Sequence, residues 1–233
     1  DLNGEKPLYY TEVENDGILF SSEMTPLIEY LKEAGSLVLS KTDIKDILIF
    51  NSARSNSISN RIISLDPGTI LTYSNGTCST RHFGLSDSKK SSTDFSSTLV
   101  NVISEMTNTD TKIGVLLSGG IDSSCIAYLA SSFREDIVAY TLSFDDSRYD
   151  ESSRAIAFAK SLGIKHIVYR VTLEDLKNEF DYWLKHNPMF VADPGYLSLS
   201  LIAKKAKHNG VKVLLGGDGA DELFGGYKRY KYF

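Results

Sequence analysis

The residues best suited to chemistry lie in two glycine loops. The first, Ser118-Gly119-Gly120-Ile121-Asp122-Ser123, follows an apolar run at 113–117 and opens a helix. Strand, glycine turn and helix start together make an anion cradle, because glycine admits close backbone approach and the first helical N–H groups point at the bound charge. No lysine follows the second glycine, so this is not the common GxxxxGK[ST] phosphate loop. An acid, Asp122, stands there instead. A carboxylate cannot pair with phosphate directly, so a divalent metal between the two is expected. The other loop follows the apolar run 211–215 and reads GGDGADELFGGYKRY over 216–230. Its glycines can fold closely around a ligand, and Asp218 and Asp221 are placed to hold a metal or an ammonium group, with Glu222 beside them.

These loops need a frame that brings them together. From residue 113 onward short apolar runs alternate with helical patterns, which argues for a parallel sheet covered by helices. Strands are expected at 113–117, 137–144, 165–171 and 211–215. Helices are expected at 122–132, 151–162, 173–185 and 197–208, with Gly163 and Gly210 as C-terminal stops. Cys125, Ile126 and Leu129 would turn inward on the first of these, and a further helix at 95–106 leads into the sheet. The loops 118–123, 143–151 and 216–222 all follow strand ends, where open α/β sheets bind their ligands.

Ahead of that region the pattern differs. Strand signals at 7–12 and 17–20 precede a helix begun by Thr25-Pro26, with Thr25 as its capping side chain, and ended by Gly35. Another helix after Thr42 would have Ile44, Ile47, Leu48 and Phe50 as its apolar side. A hairpin pairs 70–74 with 77–83 around Asn75-Gly76. The serine-, lysine- and aspartate-rich stretch 85–93 reads as a linker.

The 233 residues carry a net charge of −5 and no basic block, which argues against direct nucleic-acid binding. No apolar run approaches the roughly 20 residues needed to span a bilayer, and a soluble, cytoplasmic protein is expected. The two cysteines, Cys78 and Cys125, have no metal-ligand spacing and read as small buried hydrophobes. His82, His166, His186 and His208 show no ligand spacing or serine partner and receive no role.

The loop at 118–123 resembles the pyrophosphate loop of the ATP-pyrophosphatase superfamily. The loop at 216–230 resembles that of the asparagine synthetases, typically SG(D/E)GADE(L/V)FGGY. Gly216 stands where that family commonly has serine, and Asp218 where some members have glutamate. The resemblance extends to the strand AYTLSF followed by Tyr149, Asp150 and Glu151, and to Asp193-Pro194 before the last helix. GEKPLYY, GILFSSEM and LDPGTIL in the first third are similar to the later part of the glutamine-amidotransferase domain of glutamine-dependent members. The resemblance thus implies a partial α+β amidotransferase-like domain over 1–84, a linker and connecting helix over 85–111, and an ATP-binding domain over 112–233. The latter would be a parallel sheet flanked by helices, of the adenine nucleotide α-hydrolase-like kind.

By this resemblance Ser118, Gly119, Gly120, Asp122 and Ser123 bind the β- and γ-phosphates of ATP, and Leu116, Leu142, Gly216 and Gly217 hold the adenosine. Asp122 and Asp221 are the implied Mg²⁺ ligands, Asp221 binding metal or the substrate's amino group. Asp218 matches an acid beside the activated carbonyl, as proton acceptor or as a group orienting ammonia. Asp150 and Glu151 either add metal binding or serve as acids at a helix N-terminus. The implied reaction is ATP-dependent: the aspartate β-carboxylate is adenylated, and ammonia then gives asparagine, AMP and pyrophosphate. Implied partners are aspartate with ammonia or glutamine, and a homo-oligomer or a companion glutaminase subunit. Asp1 matches a glutamine-binding aspartate in the middle of the amidotransferase domain. The resemblance therefore expects the nucleophilic cysteine of that domain before Asp1, and a catalytic lysine beyond Phe233 that neither Lys228 nor Lys231 matches. Glutaminase activity is not expected of residues 1–233. Two alternatives remain: a related amide-forming enzyme of the β-lactam synthetase or lasso-peptide cyclase type, and a catalytically silent nucleotide-binding paralogue.

Overall fold

A computed structural model describes residues 1–13, 17–50, 59–83, 94–146, 148, 150–186, 195–227 and 230. The expected linker 85–93, Tyr149, Asp193-Pro194, Lys228, Lys231 and Phe233 lie outside these residues. The chain divides into two compact units, residues 1–91 with 181–194, and residues 92–180 with 195–233. Among the described residues, no helix is long and apolar enough to cross a membrane.

In the first unit, strands β1 (Tyr9–Val13) and β2 (Gly17–Ser21) pair antiparallel, and β3 (Ile63–Ser64) flanks β1 on its other edge. Helix α1 (Thr25–Glu33) buries Leu27 and Leu31, one turn apart, against Tyr9, Met24 and Ile62. Strands β4 (Thr69–Ser74) and β5 (Thr77–His82) form the expected hairpin, with positive φ at both Asn75 and Gly76. Two local expectations fail. Thr25 caps nothing: α1 begins at Thr25 itself, Met24 holds the cap position, and no side chain closes the first turn. In α2 (Lys41–Phe50) only Ile47 of the four expected apolar residues is buried, while Ile44, Leu48 and Phe50 are exposed. The helix is turned so that Asp43 and Asp46 share the inner stripe with Ile47.

The second unit is a three-layer α/β structure. Strands β6 (Ile113–Leu116), β7 (Val138–Ser143), β8 (Lys165–Arg170) and β9 (Val213–Leu215) form an all-parallel sheet in the order β8-β7-β6-β9. Alternation along the strands sends Ile113, Val115, Ala139 and Leu215 to one face. There they meet Ile103 of α3 (Phe95–Thr107), Ala127 and Ala130 of α4 (Ile121–Phe133), and Ala155 and Ala159 of α5 (Ser152–Leu162). Tyr140, Leu116, Leu142 and Leu214 take the other face, under Ile202 and Ala206 of α7 (Gly195–His208). Helix α6 (Leu173–His186) belongs to this unit through residue 180, and its buried Glu179 accepts hydrogen bonds from Ser200 and Lys204. The expected strands and helices of this half form within two residues of their expected ends.

One expectation about α4 is corrected. Ile126 and Leu129 do pack on the core, but Cys125 is exposed. The buried stripe runs Ser123, Ala127, Ala130, and a residue two places from Ser123 points away from it. Cys78 is only partly buried.

Ile103 fixes α3 to the core of the second unit. Ile103→Ala is expected to lower unfolding free energy by about 2–5 kcal/mol, read by urea denaturation. A loss below about 0.5 kcal/mol would show that α3 does not belong to that core.

Candidate active site

The strand order sets the site. The strand β6 has β7 on one side and β9 on the other, so the chain reverses its direction of growth between β6 and β9. A crevice opens beyond the carboxyl ends at such a switch point. It contains a cavity of about 360 Å³. Leu116, Ser118, Gly120, Asp122 and Ser123 line it from the β6 side, and Gly216, Gly217, Asp218 and Asp221 from the β9 side. Nine of the eleven expected site residues therefore share one cavity.

The first loop is braced from within. The Ser118 and Gly120 amides donate to the hydroxyls of Ser123 and Ser118 respectively, each at 3.2 Å, and the Ser123 hydroxyl donates to the Gly120 carbonyl. Gly120 is the cap of α4 and offers no side chain to it, so the first amides of that helix remain for a ligand. Gly119 has φ +80° and does not line the cavity. A Cβ on it would stand 2.8 Å from the Arg154 Cβ and 2.9 Å from the Ala155 nitrogen, so the loop lies directly on the first turn of α5. Gly217 makes the matching approach from the other loop: its Cβ would stand 2.9 Å from the Asp122 Cβ and 3.0 Å from the Ser123 nitrogen.

Leu142 lies elsewhere. It lines a smaller cavity of about 260 Å³ with Tyr140, Thr141, Phe144, Glu151, Leu199 and Ile202, and Leu116 and Ser118 border both. The loop after β7 thus serves the smaller cavity rather than the larger. Asp150 accepts from the Ser152 amide at 3.1 Å, and hydrogen bonding from Ser152 holds its carboxyl below the usual range. Glu151 pairs with Arg154 at 2.7 Å.

Some site residues received no role from the sequence. Gly219, Glu222 and Tyr227 also line the larger cavity, and the Tyr227 hydroxyl donates to Glu222 at 2.6 Å. These residues lie within or just after the acidic loop and belong to the same motif, so its spacing was the signal available. Behind the first loop, the Thr141 hydroxyl donates to the Leu117 carbonyl and accepts from Nε2 of His166 at 2.8 Å. With its one proton given to Leu117, Thr141 requires His166 to carry a proton on Nε2. That bridge follows from the β7–β8 register, in which Ala139 stands opposite His166. No motif announces it.

The cavity is acidic: Asp122, Asp218, Asp221 and Glu222 line it, and none of its described lining residues is a lysine or arginine. Among the described residues, no group of three metal-binding side chains stands close enough to hold an ion. A cation here would share its coordination with a ligand's oxygens.

The fold is an α/β one with a crevice at its switch point, and sequence comparison identifies the family. The Asparagine synthase family profile matches residues 94–233, and a Glutamine amidotransferase domain profile matches residues 1–84. The chain belongs to the asparagine synthase family. It is 29% identical over 240 residues to the Bacillus subtilis protein named glutamine-hydrolyzing asparagine synthetase 1, a match covering 99% of this chain and 37% of that one. It is 38% identical over 124 residues to a putative glutamine-hydrolyzing asparagine synthetase of Mycobacterium tuberculosis, covering 52% and 19%. It is 28% identical over 137 residues to Amidase chyE of Penicillium rubens, covering 52% and 20%. The chain therefore spans well under half the length of these curated relatives.

Two measurements test this geometry. Gly217→Ala must push the two loops apart and is expected to cost about 1–3 kcal/mol of stability, read by denaturant unfolding; a neutral effect would mean the loops are not in contact. Burial pushes the His166 pKa below its ordinary 6.5. The unfolded chain then takes up the proton first as pH falls, so this contribution is complete above about 6.5 and declines below it. His166→Asn should flatten the fall in melting temperature between about pH 7.5 and 5.5, and an unchanged slope would contradict the assignment.

Proposed function

We propose that the second unit binds ATP with Mg²⁺ in the larger cavity and uses it to convert a carboxylate to an amide, with aspartate as the carboxylate and ammonia as the nitrogen donor. The observation that carries this is the meeting of the two glycine loops at the β6–β9 switch point, with the first helix amides and Asp122 on one wall and Asp218, Asp221 and Glu222 on the other. Family membership supports the same chemistry.

In this proposal the amides at the start of α4 and the Ser118 and Ser123 hydroxyls hold the β- and γ-phosphates. Gly216 and Gly217 lie along the nucleotide, whose adenosine extends past Leu116 into the adjoining smaller cavity, where Leu116 and Leu142 give its apolar wall. Asp122 and Asp221 would hold Mg²⁺, since hard oxygen donors on both loops suit an ion bound by one or two carboxylates plus phosphate oxygens. When bound, that ion supplies neutralising charge to the polyphosphate. The substrate carboxylate attacks the α-phosphorus, and the α–β bridging bond breaks with its electron pair leaving on pyrophosphate. Donors aimed at that leaving group favour the transition state, where its charge is building. Ammonia then attacks the acyl carbon, the bond to AMP breaks, and the nitrogen loses a proton. Asp218 stands on the β9 loop to orient ammonia or accept that proton. The chain's contribution is positioning and charge stabilisation.

An alternative reading keeps the adenylation and changes the acceptor carboxylate. The alignment of an amidase-named fungal relative over half of this chain favours keeping it in view.

The test incubates the 233-residue chain with Mg-ATP, aspartate and ammonium, and scores AMP, pyrophosphate and asparagine, with glutamine replacing ammonium in a parallel arm. Aspartate-dependent AMP release is expected, falling on the order of 100-fold in Asp122→Ala. AMP release with no need for aspartate would favour the alternative reading. Failure of the wild-type chain to bind Mg-ATP would remove both.

A further inference from the structure

The acidic loop ends in Gly225-Gly226-Tyr227, just past the acids that line the larger cavity. Their place follows from how helix α8 (Ala220–Phe224) stops. Gly225 caps it with φ +67°, a left-handed conformation that turns the chain back on itself. The amides of Gly225 and Gly226 both donate to the Asp221 carbonyl. The returning chain then meets the two acids of α8 in order. Gly226 lies on Asp221, and the Tyr227 hydroxyl donates to Glu222 at 2.6 Å.

The contact at Gly226 leaves no room for a side chain. A Cβ there would overlap Oδ1 of Asp221 and stand 2.9 Å from its Cγ and 3.3 Å from its Cα. Gly226 has no positive φ, so its backbone would accept alanine, and the carboxylate is what bars it. The cheapest relief for a methyl group is rotation of the Asp221 side chain, whose end is the atom in the way. Asp221 lines the larger cavity from the β9 side, and Asp122 lines it from the β6 side. Magnesium demands near-octahedral geometry, so a carboxylate that is to hold it must already point in the right direction.

We propose that Gly226 is a positioning residue for the cation. By leaving space for the Asp221 carboxylate, it holds that group in the direction from which it reaches Mg²⁺ bound with the nucleotide. This rests on the Mg-ATP site proposed above and gives the Gly225–Tyr227 turn a part in it. Tyr227 steadies Glu222 through its hydroxyl in the same turn, so one short segment sets two neighbouring acids of the cavity wall. Gly226 acts only through Asp221, so its effect is confined to metal-dependent binding.

The experiment is calorimetric titration of the 233-residue chain with ATP in excess Mg²⁺, with ATP in EDTA, and with AMP. In Gly226→Ala, affinity for Mg-ATP is expected to fall about tenfold, with AMP binding within about twofold of wild type. In an Asp221→Ala background the methyl group has room, and Gly226→Ala should cost no further affinity. If Gly226→Ala lowers the melting temperature, Asp221→Ala should restore it for the same reason. Unchanged Mg-ATP affinity in Gly226→Ala would overturn this proposal and leave the ATP site standing. An equal loss for AMP would overturn it too, as would a loss of affinity or melting temperature that persists without the Asp221 carboxylate. A wild-type chain that binds ATP equally well in EDTA would overturn the Mg²⁺ ligation and this inference together. One that binds no ATP at all would remove the nucleotide site with them.

Discussion

The central strand β6 hydrogen-bonds β7 along one edge and β9 along the other, and everything at the site depends on that arrangement. Loops roughly 100 residues apart in sequence arrive side by side only because β9 crosses back to the open edge of β6. The registers Val115↔Ala139 and Val115↔Leu215 then set the height at which each loop leaves the sheet. Gly217 comes to rest on Asp122 and Ser123 at separations where a methyl group would not fit. A gap in the ladder, or a side chain at Gly217, would part the walls of the cavity.

The same closeness has an electrostatic consequence. Bringing the loops together concentrates Asp122, Asp218, Asp221 and Glu222 around one space. Such a space disfavours an anion unless fixed donors and cations offset the acids. The backbone supplies part of the offset through the unclaimed amides of α4, and the turn is held rigid by its own serine bonds. Behind it, His166 and Thr141 tie the Leu117 carbonyl to β7 and β8, so the loop is anchored on the side away from the ligand. The turn is built from backbone amides and serine hydroxyls, whereas the Glu151–Arg154 pair is exposed.

Much of this was legible in the residues, and the misses have physical causes. The alternation of apolar runs and helical patterns placed the strands and helices of the second unit because the patterns there are strong, with Gly163 and Gly210 ending two of the helices. In α2 the pattern misled: Ile44, Leu48 and Phe50 suggest a core face, yet the helix turns Asp43 and Asp46 inward instead. A short helix with apolar residues on several sides has no unique inner face until something packs on it. Cys125 failed for a related reason, since α4 meets the sheet through its smallest residues, Ala127 and Ala130, and a close-packed alanine stripe is nearly silent in hydrophobicity. The strand expected at 137–144 contains Leu142, but which cavity Leu142 lines is set by packing against Leu116 and Tyr140.

By itself the sequence determined the local geometry and chemistry: glycines where the chain must turn or approach closely, acids in the 216–222 loop, and an alternation that requires a parallel sheet. These are set by a few neighbouring residues and by the periodicity of strands and helices. Tertiary structure decided which of those groups meet. Strand order put β9 beside β6, register joined Thr141 to His166, and packing set Arg154 against Gly119. Such choices rest on contacts between residues far apart in the chain, where burial and exclusion of atoms, rather than local preference, select a single arrangement.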